Sequence, residues 1–241
     1  MRILVVTAVA AERDAVAGAL GGPPARIPLA SYVLHRVTSG AVTFDLLAAG
    51  VGPAAAAAAT AAALAGSGYD LAVSAGIGGG FLPMAPVGSL VVADELVAAD
   101  LGAETADGFV PVTELGFGTV AHRTDAALVA RIAEATGART GAVLTVSTVT
   151  GSALRAAELR GRHPDALAEA MEGFGVAEAG AAAGCPVVEL RAISNPVGPR
   201  DRAQWRIGEA LAALARAFER LVPVLEGLAP DPRRLPGSGV Q

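Results

Sequence analysis

"MRILVVTAVAAERDAV", residues 1–16, carries the choice of fold. One arginine, a short apolar run and an "AVA" triplet imitate a secretion signal. The run is brief and β-branched at Ile3, Val5 and Val6, which suits a buried strand from Ile3 to Thr7 instead. The next residues, alanines interrupted by Glu12, Arg13 and Asp14, have helical composition. A strand that feeds straight into a helix, with no polar alternation along it, is the opening of an α/β sheet covered on both faces.

The same unit recurs along the chain. Short apolar runs stand at 2–6, 32–37, 42–50, 71–76, 88–97, 141–148 and 186–194, and helical stretches at 9–20, 53–66, 124–136, 152–162, 173–184 and 204–226. Alternation of this kind predicts three layers, helices on either side of a central, mostly parallel mixed sheet. Residues 1–226 read as one domain, and the proline- and glycine-rich 227–241 as a disordered tail. The segment 100–120 interrupts the pattern with acids, glycines and aromatics. It reads equally as a substrate-facing excursion or a solvated loop, and its apolar residues suit a contact between subunits.

Composition removes whole classes of activity. All 18 basic residues are arginine, so lysine chemistry of every kind is excluded. A net charge of −5 without a basic run argues against nucleic acid and for a small-molecule ligand. Cys185 stands alone, which fits a reducing, cytoplasmic setting, and no apolar stretch resembles a membrane span. His35, His122 and His163 are scattered without ligand spacing, so neither a metal nor another cofactor is expected.

Several residues stand where chemistry is expected. Glycine clusters follow strands at 48–57 ("AAGVGPAAAA") and 74–81 ("SAGIGGGF"), where a ligand can approach the backbone closely. The first fits a loose dinucleotide pattern, yet Asp70 precedes its strand instead of ending one, which counts against NAD. Glu12 lies beyond the carboxyl end of the first strand, where α/β proteins bind ligands; a plain first-turn glutamate is the alternative. Met171 and Glu172 stand at the head of the helix at 173, either capping it or offering a carboxylate to a sugar diol. Finally "ELRAISNPVGPRDRAQW", 189–205, puts Asn195 at the mouth of the last strand, and a carboxamide neither gives nor takes a proton at neutral pH.

In order and spacing, "AVAAERDAV" with Glu12, the glycines at 50–52 and 76–79, "AMEG" at 170–173 and "RAIS" resemble the nucleoside phosphorylase family, in particular its methylthioadenosine/adenosylhomocysteine nucleosidase branch. The resemblance spans about residues 1–225. It implies a nucleoside substrate, a homo-oligomer, most simply a dimer, and Glu12 as the base that activates water. Glu172, with Met171, is then the ribose clasp. Val51, Ile77, Gly78 and Gly79 line sugar and base, and Val149 with Thr150 replaces the segment that stacks on the base. Trp205 covers the 5′ substituent, with a core tryptophan as the alternative, and Arg200, Arg202 or Arg206 meets a carboxylate there.

Asn195 departs from that branch, which carries an aspartate at this place. An amide NH₂ can span purine N7 and a 6-oxo oxygen, both acceptors, and mismatches a 6-amino group. The sequence therefore asks for hypoxanthine or guanine. Residues 145–175 with "RAISNPVGPRDRAQWRI" resemble those family members that release hypoxanthine from futalosine, a nucleoside of menaquinone biosynthesis. Glu12 and Asn195 are thus the expected catalytic pair, with water and not phosphate as nucleophile, because the first loop, "TAVAAER", lacks a phosphate arginine and Arg13 should face away.

Overall fold

The computed structural model describes residues 1–228; the tail expected to be disordered lies outside the described residues from 229 onward. Twelve strands and six α-helices follow in the order β1 (Arg2–Thr7), α1 (Ala10–Ala19), β2 (Ala25–Leu29), β3 (Tyr32–Ser39), β4 (Val42–Ala48), α2 (Pro53–Gly66), β5 (Leu71–Gly80), β6 (Leu90–Ala98), β7 (Gly102–Thr105), β8 (Gly108–Pro111), β9 (Ala121–Arg123), α3 (Ala126–Thr136), β10 (Arg139–Thr145), α4 (Ala153–Arg162), β11 (Ala166–Ala170), α5 (Gly173–Ala183), β12 (Val187–Pro196) and α6 (Ile207–Glu226). A 3-10 turn, Arg202–Gln204, precedes α6.

β1 shows why the sheet needs helices on both sides. Its alternate residues Ile3 and Val5 join a core with Phe44, Val16, Leu214 and Phe218, while Leu4 and Val6 join a second with Leu47, Ala56, Ala59 and Val176. Each such side chain removed from water contributes about 1.5–3 kcal/mol. On the second face the helices approach closely because their residues are small. At Gly175 of α5 even a methyl group would stand 2.1 Å from the Pro53 carbonyl oxygen of α2.

The ten-stranded sheet runs β11-β10-β6-β12-β5-β1-β4-β3-β2, with β9 beside β6. β4, β1, β5 and β12 are parallel neighbours, as are β6, β10 and β11. β12 meets β6 antiparallel, and β3 and β2 add an antiparallel edge. One pairing is beyond the expected layered sheet: β11 also bonds β5, so β11, β10, β6, β12 and β5 close into a ring.

That closure corrects the reading of the 74–81 glycine cluster as following a strand that ends at 76. β5 continues as strand through all of these glycines to Gly80. The glycines are there for space. A Cβ at Gly78 would stand 2.9 Å from the Glu169 carbonyl oxygen of β11, and one at Gly76 would stand 2.6 Å from Glu12 Oε1. Gly50 and Gly52, with φ of 100° and 99°, are the true turn glycines. The 100–120 segment holds the hairpin of β7 and β8 and leaves Leu101, Leu115 and Phe117 exposed, Phe117 by 70%. Trp205 is half-buried in the link between the 3-10 turn and α6, so it is not a core helix residue.

Candidate active site

At the carboxyl ends of β1, β5 and β12 lies a cavity of about 310 Å³, within the range of small-molecule sites. Its lining includes all eleven residues singled out in the sequence: Glu12, Val51, Ile77, Gly78, Gly79, Val149, Thr150, Met171, Glu172, Asn195 and Trp205. Of the three candidate arginines, Arg200 lines it and Arg202 and Arg206 do not. Arg13 faces away and bonds Asp14 at 2.9 Å.

Glu12 is both helix cap and cavity residue, so the two readings of it are compatible. As third residue of α1 it accepts hydrogen bonds through Oε2 from the backbone N–H groups of Ala8 (3.0 Å) and Val9 (3.2 Å). Oε1 accepts from the Ile77 N–H at 2.9 Å. Three backbone donors hold the carboxylate in one orientation, and Oε1, which accepts only one of them, keeps a lone pair for a water. Glu172, also buried, is held more loosely, by Gly52 N–H and Met171 N–H, both at 3.3 Å, and by Arg191 at 3.3 Å. Its remaining acceptor capacity suits a pair of sugar hydroxyls.

Arg191 escaped the sequence reading. It lies on β12 behind the cavity, 1% exposed, and donates from Nε to Glu189 (2.8 Å) and from Nη2 to Ser74 (2.9 Å). Burial disfavours its charge, but Glu189, Glu172 and Glu12 together more than offset this and hold its pKa above the ordinary value. Glu189 is 0% exposed and its Oε2 has no partner among the described residues; burial pushes its carboxyl up against the pull of Arg191. A signal was available, since an arginine and a glutamate inside "VVELRAIS" cannot be buried without partners.

Asn195 is fixed by its neighbours. The Ser194 hydroxyl donates to Oδ1 at 2.9 Å, and Nδ2 donates to the Pro196 carbonyl at 3.0 Å. One N–H of the amide is therefore engaged, and one is left for a ligand rather than the expected two. Across the cavity, Glu169 of β11 was missed as well. Its carboxylate accepts from the backbone N–H (2.8 Å) and hydroxyl of Thr150, and it is 5% exposed.

Residues 2–228 match the model of the phosphorylase superfamily. A futalosine hydrolase of Streptomyces coelicolor is 68% identical over 97% of this chain and 100% of its own, and one of Acidothermus cellulolyticus is 47% identical over 90% and 89%. The native structure of futalosine hydrolase of Helicobacter pylori shares the fold with a TM-score of 0.82, at 20% identity over 93% of this chain and 98% of that one. The chain belongs to the phosphorylase superfamily and, within it, to the futalosine hydrolase family.

Proposed function

We propose that this chain, as one domain over residues 1–226, hydrolyses the N-ribosidic bond of futalosine and releases hypoxanthine, a step of menaquinone biosynthesis. The observation that carries this reading is a single cavity lined by the buried carboxylates Glu12 and Glu172 together with the amide of Asn195. Bond cleavage leaves an oxocarbenium-like sugar and a purine gathering negative charge, so the site must hold the diol, supply a nucleophile and stabilise the leaving base. Glu172 takes the ribose hydroxyls with Met171 against the sugar. Glu12, held by three N–H groups, orients a water and accepts its proton, worth about 10² to 10⁴ in rate. Asn195 donates its free N–H to the N7 and O6 edge as charge builds there.

Beyond the sugar, half-buried Trp205 covers the aryl-ketone arm and Arg200 meets the arm's carboxylate. Arg200 and Arg202 both lie over the Trp205 ring, at 5.4 Å and 5.9 Å, but only Arg200 borders the cavity. Water is favoured over phosphate by charge. Glu12 and Glu172 share one guanidinium that is already bonded, so a phosphate dianion there would meet net repulsion.

In this reading the enzyme works in the cytoplasm without a cofactor and binds neither nucleic acid nor membrane. It works as a homo-oligomer, most simply a dimer, through the face that exposes Leu101, Leu115 and Phe117. The decisive experiment is hypoxanthine release from futalosine, inosine and methylthioadenosine with and without phosphate. Phosphate-independent turnover, greatest on futalosine, is expected; turnover that requires phosphate overturns the reading.

A further inference from the structure

The mechanism leaves one buried cavity carboxylate unused. Glu169 lines the site, is almost wholly buried, and belongs to none of the contacts that hold Glu12, Glu172 or Arg191. Its position follows from the closure of the sheet. In β11 it pairs with Gly79 of β5, and Gly79 pairs on its other side with Asn195 of β12. The order across three strands is thus Asn195, Gly79, Glu169. The register of β12 shifts between Ile193 and Asn195, but the amide and the carboxylate both line the cavity, so they flank a position that has no side chain, their Cα atoms about 10 Å apart. A Cβ at Gly79 would stand 3.4 Å from Asn195 Nδ2 and 2.8 Å from a Val197 methyl. Glycine keeps that gap open.

The two side chains offer opposite hydrogen-bonding characters. Asn195 presents an N–H, its oxygen being taken by Ser194. Both Glu169 oxygens accept from Thr150, which orients them as acceptors and leaves lone pairs free. A 6-oxopurine is the complement: along one edge it presents N7 and O6 as acceptors and then N1–H as a donor. A 6-aminopurine reverses the last two, and its N1 lone pair would face the carboxylate.

We infer that Glu169 accepts the N1–H of the purine and is, with Asn195, the pair that selects a 6-oxo over a 6-amino base. This rests on the reading of the cavity as a nucleoside site and deepens it. Thr150 acts through Glu169 as a positioning residue. Guanine, which also carries N1–H, satisfies the same pair, so the exclusion is directed at adenine.

The test measures the affinities of wild type and Glu169→Gln for free hypoxanthine and adenine by titration calorimetry, with the melting temperature of each. Glutamine has the same length but can turn a donor toward N1. Hypoxanthine binding is expected to weaken ten- to a hundredfold while adenine binding holds or tightens. An equal loss for both bases would mean that Glu169 merely holds the 147–152 loop, and overturns the inference. A second measurement needs no variant: wild type should bind 1-methylhypoxanthine, which lacks N1–H, at least tenfold more weakly than hypoxanthine, and equal affinity overturns it. Absence of hypoxanthine binding to wild type overturns it also. Futalosine turnover is assayed separately, so failure of the proposed reaction is distinguishable from failure of the base-reading pair.

Discussion

Asp45 on β4 and Glu12 at the head of α1 are carboxylates on either side of β1, both sunk beside arginine, and their surroundings are opposite. Asp45 has more partners than it needs: Arg2 (2.7 Å), Arg36 (2.7 Å) and the Tyr69 hydroxyl (2.8 Å) converge on it. Burial alone would raise its pKa, but the bonds from Arg36, Arg2 and Tyr69 win and hold it below the usual carboxylate range. At the cavity the ratio is inverted, with Glu12, Glu172 and Glu189 around the single Arg191. One cluster is saturated with donors and ties β3 and β4 to β1. The other is short of them, and its unused acceptor capacity faces a cavity where a diol and a water can supply what is missing. A buried ion cluster is therefore read by its balance of donors and acceptors, since its mere presence says little about function.

The largest effect is expected at Glu12. Glu12→Gln should lower futalosine turnover by about 10² to 10⁴, read from steady-state kinetics, while hypoxanthine affinity stays within a few fold. The amide NH₂ must also face one of the N–H groups of Ala8, Val9 or Ile77, so a stability loss of about 1–3 kcal/mol accompanies it. Turnover within tenfold of wild type would remove Glu12 from the chemistry and with it the contrast.

Asp45→Asn should do the reverse. Kinetic constants stay unchanged and urea denaturation at neutral pH shows a loss of about 1–3 kcal/mol, less than for a fully enclosed pair because Arg2 and Arg36 are about a third exposed and can turn to water. The sign with pH follows from the depressed pKa. Asp45 stabilises the fold above its unfolded-state pKa, and that contribution disappears as pH falls through the lower folded value. Wild type and variant should thus converge in acid; a difference that persists there would mean that packing, not charge, holds the cluster.

The order of strands and helices was legible because most strands are buried on both faces and read as unbroken apolar runs, β1 most plainly. β11 was not. "ALAEA" is built from helix formers and becomes a strand only because β10 and β5 bond it on either side. The β2 strand was hidden by Pro28, tolerated at a sheet edge. Glu12, Glu172 and Asn195 were legible through their order in a resembling family and their places at element ends. Glu169 offered no such cue: its partner Thr150 is 19 residues away and its neighbours across the sheet belong to β5 and β12. The glycines of β5 were legible as glycines, but their cause, the Glu12 side chain of α1 and the β11 backbone at Glu169, is a tertiary one.

Glu189 sharpens the comparison with the smallest effect. It is the most buried of the three carboxylates around Arg191, and only Gly173 leaves room for it: a Cβ there would stand about 2 Å from its carboxyl oxygens. Arg191 cannot neutralise three acids, and burial pushes Glu189 up, so it is the acid expected to keep its proton in the folded state. Glu189→Gln then replaces one neutral group by another of the same shape, and below the ordinary carboxylate pKa the two proteins should differ by less than about 1 kcal/mol. Above it, the unfolded wild type releases the proton and the folded one does not, so wild type should lose stability relative to the variant as pH rises toward the folded value. That slope is opposite to the one at Asp45. Urea midpoints measured from pH 4 to 8 decide it: parallel curves, or a wild type that gains on the variant with rising pH, would mean that Glu189 is ionised and that Arg191 is shared among three full charges.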